Sequence, residues 1–297
     1  MIKEVVALSV AVVTGFSAFS QTDSTSNSTD TATAYITTDV HQALANGDKQ
    51  PVYKLKPAVD IPVTAIGAGW SLYAFTKIYS KDPSTVEEIE SLRKEDINGF
   101  DRWAADVYSE KAANSSDYFF YGAMPLPLVL LADKHIRKDA AKIGFLYLEA
   151  MSLTGLLYTG ATYTTDRYRP LAYNPEVPMS ERTGGGAKNS FFAGHVALVG
   201  TASFFTAKVF SDYHPDSKLK YLFYSAAIVS TGGTAYLRHR GGKHFPSDII
   251  LGTAVGTLSG ILVPHFHKNK LFKDPNLSLM PFTTGQSHGL VMNYRFK

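Results

Sequence analysis

The stretch RHRGGKHFPSD, Arg238 to Asp248, carries two histidines, three basic residues and one acid, with apolar segments on both sides. Related groups recur upstream. Arg167, Arg169 and Pro170 follow one apolar segment in TDRYRP, and Gly194 and His195 open another in SFFAGHVALVG. Arginines, histidines and a carboxylate delivered to the ends of apolar segments suit phosphoryl transfer, because planar guanidinium groups match phosphate oxygens in pairs. Phe245 precedes a proline and is steered out of the helical region, whereas Pro246 suits a first helical position. His244 is therefore expected just ahead of a helix mouth, with Asp248 in the first turn and close enough to accept a hydrogen bond from one ring nitrogen. The other nitrogen is then a nucleophile. His195 is expected to protonate the departing oxygen, and backbone donors near Gly194 to grip phosphate oxygens.

The elements that must position these residues read as helices. Apolar segments run over Ile61 to Phe75, Phe119 to Ala132, Ile143 to Tyr163, Phe191 to Phe210, Tyr221 to Leu237 and Ile249 to Pro264. A bilayer span takes about 17 to 25 residues, so most qualify only with their flanks. Glu149 and Lys208 interrupt two of them, and the mean hydropathy is -0.06, which keeps a soluble all-helical domain open as an alternative. Between the first two segments, Pro83 and Ser84 mark a helix start. Ile97, Phe100, Trp103, Ala104 and Val107 then follow a helical period, which predicts an amphipathic helix ahead of the core. Residues 1–20 read as an export signal, with Lys3, an apolar run from Val5 to Phe19 and small residues near Ser20. Residues 21–58 read as a polar leader and linker, 59–264 as the helical domain and 265–297 as a tail. In that tail, Leu290, Met292, Tyr294 and Phe296 alternate as in a short hairpin.

Composition narrows the function classes. The chain of 297 residues has a formal charge of +3 and no basic run that resembles a nucleic-acid footprint, so no nucleic-acid partner is expected. Zero cysteines exclude disulfides, a thiol nucleophile and a thiolate metal centre. Basic residues gather in the loops at 133–142 and 211–220 and in the tail after Pro264. If those lie on the cytoplasmic side, the loops at 164–190 and 238–248 face outward. A cleaved signal followed by a spanning Ile61–Phe75 segment would invert that arrangement. Two solutions satisfy the charge rule: a signal plus five spans with Ile61–Phe75 peripheral, or six spans with no signal.

Arg169-Pro170, the quartet Phe192-Ala193-Gly194-His195, and Arg238 followed by His244 and Asp248 resemble the three signature motifs of the type 2 phosphatidic acid phosphatase (PAP2) superfamily, which includes soluble bacterial acid phosphatases and vanadium haloperoxidases. Gly252 and Gly256, in the helix beyond the third motif, fit as well. The resemblance covers about residues 117–264. It implies an all-α fold, a six-helix bundle of the PAP2 and vanadium haloperoxidase type, here read as transmembrane. It implies catalysis by His244, His195 and Asp248, and phosphate binding by Arg169, Arg238 and Gly194, with Arg167 as a further candidate. Two positions depart from the pattern. The first-motif lysine is Thr162, and the second motif has Phe192 and Ala193 where proline and serine are usual. Arg167, Arg182, Lys188 and Arg240 are the candidates to replace the missing charge.

These readings converge on a metal-independent phosphomonoesterase or diphosphatase of the cell envelope, with a phosphorylated lipid as substrate and the membrane as partner. It would sit in a bacterial inner membrane with its site facing the periplasm or exterior. No cofactor and no metal are expected. Three alternatives remain: a lipid-binding protein that has lost turnover, a phosphotransferase acting on an alcohol acceptor, and a soluble periplasmic acid phosphatase. His239 reads as a loop histidine, Gly184 to Gly186 as a flexible loop over the site, and His265 and His267 as interfacial residues with too few ligands nearby for a metal.

Overall fold

The computed structural model describes the backbone of residues 7–12, 51–269, 277–283 and 288–295, and side chains over 51–269. The chain divides into two compact units, Val52–Lys268 and a second formed by Met1–Pro51 with Asn269–Lys297. In the second unit, β1 (Ala7–Val12), β2 (Leu277–Thr283) and β3 (His288–Arg295) form an antiparallel sheet in the order β1-β3-β2, with Leu8 and Leu277 both opposite Tyr294. β1 lies within the segment expected as a signal; the rest of that segment, and the leader up to residue 50, lie outside the described residues.

The unit Val52–Lys268 is helical and holds no sheet. Its long helices are α1 (Pro57–Ile78), α2 (Glu110–Ala123), α3 (Ala140–Thr164), α4 (Gly194–Tyr213), α5 (Leu219–Arg240) and α6 (Pro246–Phe266). α4 is the centre: α6, α5, α3 and α2 all pack on it, and most of its residues are buried. α1 packs along α3. The close seam between α4 and α6 depends on glycine. A Cβ at Gly256 would fall 2.2 Å from the Ala197 carbonyl oxygen, inside van der Waals contact, so only glycine lets the two backbones approach this far. Ala193 N–H then donates to the Asp248 carbonyl at 3.1 Å, which ties the N-termini of α4 and α6 side by side.

Two expected elements differ. The amphipathic helix before the core breaks into a short helix at Val86–Ser91, 3-10 turns at Lys94–Asp96 and Arg102–Asp106, and α2. Its start is at Thr85, whose hydroxyl accepts from Glu88 N–H while the Glu88 carboxylate accepts from Thr85 N–H. The turn at Asn98-Gly99 interrupts the helical period, so Ile97 and Ala104 are buried while Phe100 and Trp103 face out. The apolar segment Phe119–Ala132 is not one helix either. α2 stops at Ala123, and Pro125 and Pro127, which have no N–H to donate, lead into a 3-10 run over Leu126–Ala132.

α1, α3 and α6 are long and apolar enough to cross a membrane, and they expose large apolar side chains such as Ile66, Leu72, Leu148, Leu157, Ile250 and Leu258. These features support a membrane-associated location. α4 and α5 are not in that set; Lys208 and Asp212 lie in α4, and α5 ends in the charged run Arg238-His239-Arg240.

Candidate active site

Four chain segments meet at one end of the bundle: the exit of α3, the start of α4, the end of α5 and the start of α6. The connection from α5 to α6 is a tight turn in which Gly242 has a φ of +62°, a conformation open to glycine at little cost. That turn drops His244 into the interior, where it is 1% exposed. His244 Nδ1 lies 2.7 Å from the Ser190 carbonyl oxygen. A carbonyl can only accept, so the proton sits on Nδ1 and the lone pair on Nε2. Burial, and then the charges of Arg238 and Arg169, push the His244 pKa well below the usual histidine range. The ring is therefore neutral at physiological pH, the state a nucleophile requires.

The expected hydrogen bond from His244 to Asp248 is not formed. The Asp248 carboxylate sits in the first turn of α6 and turns back onto its helix start, accepting from Phe245 N–H at 3.0 Å. It also accepts from Ser190 Oγ at 2.6 Å and pairs with Arg167 Nη1. Ser190 is thus the connector, with its hydroxyl on Asp248 and its carbonyl on His244. Asp248 orients the His244 ring at one remove.

Arg167 also differs from its expected place. Its Nη2 donates to Asp101 at 2.7 Å and its Nη1 to Ser247 Oγ at 3.0 Å and to Asp248, while the guanidinium lies 4.7 Å above the Phe245 ring. Both carboxylates are fully buried. Burial alone would raise Asp101, but hydrogen bonds from Ser247, Asn98 and Arg167 hold its carboxyl below the usual range. This clasp pins the 93–107 segment and the exit of α3 to the mouth of α6.

Arg169 and Arg238 remain for an anion. They lie within electrostatic range of each other and of both histidines. Arg169 Nε donates weakly to the Asn189 carbonyl at 3.4 Å. Arg238 Nη1 donates to Ser116 Oγ at 3.2 Å and lies 3.7 Å from Asp117, and its Nε is buried with no hydrogen-bond partner. An unsatisfied guanidinium N–H in a buried cleft is a vacancy for a ligand oxygen. His195, in the first turn of α4 next to Gly194, has Nε2 3.3 Å from Asp117 Oδ1, and its ring packs on Phe120 at 4.5 Å.

The first of the two departures from the motif pattern has a structural account. Thr162 is fully buried, and its hydroxyl is spent on the carbonyls of Tyr158 and Phe191, at 2.9 and 3.0 Å. Of the proposed replacements, Arg182 donates to the Ala172 carbonyl, Lys188 to the Asp82 carbonyl, and Arg167 is committed as described. The charge that reaches the cleft is Lys243. Its Nζ lies 3.8 Å from Glu181, and burial, followed by the charges of Arg169 and Arg238, lowers its pKa. Asp101, Asp117, Ser190 and Lys243 were not foreseen. Lys243 was visible beside His244, whereas the others approach from distant parts of the chain.

Comparison with known proteins gives a family match. No curated protein and no solved structure matches the chain. Residues 143–272 match the family described as the PAP2 superfamily, which supports a phosphatase-family function in general. The chain therefore carries a PAP2-superfamily domain, and Arg169, His195, Arg238, His244 and Asp248 all lie within it.

Proposed function

We propose that the protein hydrolyses a phosphorylated membrane lipid through a phosphohistidine on His244, without a metal ion. One observation carries the reading: a buried, neutral His244 whose Nδ1 proton is held by Ser190, leaving Nε2 toward a cleft that contains Arg238, Arg169 and His195. The phosphoryl oxygens bind the two guanidinium groups, including the open Arg238 Nε, with the amides at the start of α4 adding donors. Nε2 attacks phosphorus, an N–P bond forms, and the bond from phosphorus to the lipid oxygen breaks. His195 donates its proton to that oxygen. Water, deprotonated by the same imidazole, then attacks phosphorus, releases inorganic phosphate and restores neutral His244. Burial, and then the charges of Arg238 and Arg169, lower the His195 pKa to about 3, so the ring needs a bound anion to hold a proton. A bound phosphate dianion shifts the ring toward the imidazolium that the first step consumes.

The apolar exteriors of α1, α3 and α6 support a lipid substrate, since acyl chains can stay beside them while the headgroup enters the cleft. The basic loops support a site on the outer face of the membrane. Lys243 supplies the positive charge that Thr162 does not, and this favours an active enzyme over a binding protein that has lost turnover.

Protein purified in detergent and assayed in EDTA with phosphatidate, phosphatidylglycerophosphate, a polyprenyl diphosphate and a lipid A phosphate is expected to release phosphate from at least one. No release from any, where a related enzyme turns over, contradicts the proposal. Product analysis with an added alcohol separates hydrolysis from transfer. For sidedness, cysteines placed at Ser180 and Asp216, both exposed, give a direct readout in intact cells. A thiol reagent that cannot cross the inner membrane should label position 180 and spare position 216 until lysis.

A further inference from the structure

A second constellation lies at the opposite end of the bundle. Asp60 sits in the first turn of α1, Glu149 in the third turn of α3, and His267 just past the end of α6. His267 Nε2 lies 3.2 Å from Asp60 Oδ1 and 3.6 Å from Glu149 Oε2, and one ligand atom from each residue lies within 4.8 Å of the others. All three residues are buried. His267 Nδ1 donates to the Val263 carbonyl at 2.7 Å, so Nε2 is the ring nitrogen turned toward the two carboxylates. A carbonyl on the far nitrogen is also what orients a metal-binding histidine.

Glu149 supplies the second, separate observation. Its side chain is only 10% exposed, and its Oε2, the atom aimed at His267, has no hydrogen-bond partner. A gap of 3.6 Å is too long for a hydrogen bond. Among the described residues no lysine or arginine side chain pairs with Asp60 or Glu149. One turn along α1, on the face of Asp60, the Thr64 hydroxyl is likewise buried without a partner. Asp60 accepts from the Lys56 N–H, whereas Glu149 Oε2 is left buried without a donor, which is costly for a polar atom. With metal–ligand bonds of about 2.0 to 2.1 Å, neighbouring ligand atoms in a tetrahedral site lie about 3.3 Å apart. The two distances from His267 fall on either side of that value.

We propose that Asp60, Glu149 and His267 form a binding site for a divalent first-row cation, Zn²⁺ or Mn²⁺, with water completing its coordination. Mixed imidazole and carboxylate ligands suit these ions. The site is separate from phosphoryl transfer, because α6 is about 30 Å long at 1.5 Å per residue, with His244 at one end and His267 at the other. Its role is to hold α1 against α3 and α6. Asp60 lies outside the PAP2-superfamily match and the other two ligands lie inside it, so the cation joins the N-terminal helix to the domain.

The test uses the full chain in detergent, stripped with EDTA, desalted, and titrated separately with ZnCl₂ and MnCl₂. Bound metal is measured by elemental analysis after gel filtration, and stability by thermal denaturation. The expected result is about one equivalent of one cation retained and a melting temperature raised by several degrees. Glu149→Gln and Asp60→Asn should each weaken binding by about tenfold or more while eluting at the same volume with the same helical circular dichroism. Failure of the wild-type chain to retain either cation overturns the site, whether or not the variants fold. Retention at wild-type affinity by both folded variants overturns it as well. Phosphatase activity in EDTA is scored separately, so the two proposals stand or fall independently.

Discussion

The two ends of the helical unit use histidine in opposite surroundings. At the end proposed to be catalytic, His244 and His195 lie in the field of Arg169 and Arg238, and the carboxylates are drawn away from His244: Asp248 is held by Ser190, Phe245 N–H and Arg167, and Asp101 by Arg167 and Ser247. At the far end, His267 faces Asp60 and Glu149, and among the described residues no arginine or lysine side chain pairs with either. Both buried rings place Nδ1–H on a backbone carbonyl, Ser190 in one case and Val263 in the other. The same local device turns Nε2 away from the backbone, and the charge beyond it differs. On the two proposals, arginines beside His244 attract a phosphate for it to attack, and carboxylates beside His267 invite a cation.

The contrast predicts a graded set of losses. Replacing His244 by alanine removes the attacking atom and should lower kcat/KM by about a thousandfold or more, read by phosphate release in detergent. Arg238→Ala should cost about a hundredfold to a thousandfold, since it removes a donor aimed at developing charge. It should also move the pH profile. In the proposed mechanism neutral His244 is the active form, and Arg238, after burial, helps to keep its pKa low; without that charge the pKa rises, the ring protonates at higher pH, and the acidic limb of kcat/KM shifts upward. An unmoved limb would show that the arginine does not set the state of the nucleophile.

Arg167→Ala should act mainly on stability. It leaves Asp101 and Asp248 buried without their shared cation, at a cost of about 3 kcal/mol in denaturant unfolding, and activity falls as the α6 mouth loosens. Lys243→Met should cost about tenfold in kcat/KM, chiefly through KM, because it removes charge from the cleft without touching the nucleophile. The smallest effect belongs to His239→Asn, within about twofold. That ring packs edge-on against Trp103 at 5.1 Å and contributes no group to the cleft.

The sequence made legible those features that depend on short stretches of chain. Arg169, His195, Arg238 and His244 each fall within a few residues of a helix end, so once the helices are placed their convergence follows. Pro246 marks the α6 start, and Gly256 marks the seam with α4. What escaped involves long separations or competing partners. Asp101 and Arg167 are 66 positions apart, and nothing local in either says that they pair. Asp248 does stand one helical turn from His244, but spacing alone cannot tell that Phe245 N–H, Ser190 and Arg167 claim its oxygens first. The amphipathic helix expected between Pro83 and Val107 failed because a turn at Asn98-Gly99 outweighs the apolar period. The segment Phe119–Ala132 failed because apolarity masked Pro125 and Pro127. His267 looked short of ligands because Asp60 and Glu149 come from helices more than a hundred positions earlier.

The central claim is that His244 carries the phosphoryl group, and rapid quenching tests it directly. Protein mixed with a lipid substrate labelled with ³²P at the transferred phosphate, quenched in alkali within milliseconds and digested, should yield a base-stable, acid-labile phosphopeptide that contains His244. The label should be absent from His244→Ala and should accumulate in His244-containing peptide when release of phosphate is slowed. Turnover with no labelled protein at any time, or label that persists on another residue in His244→Ala, would contradict the account.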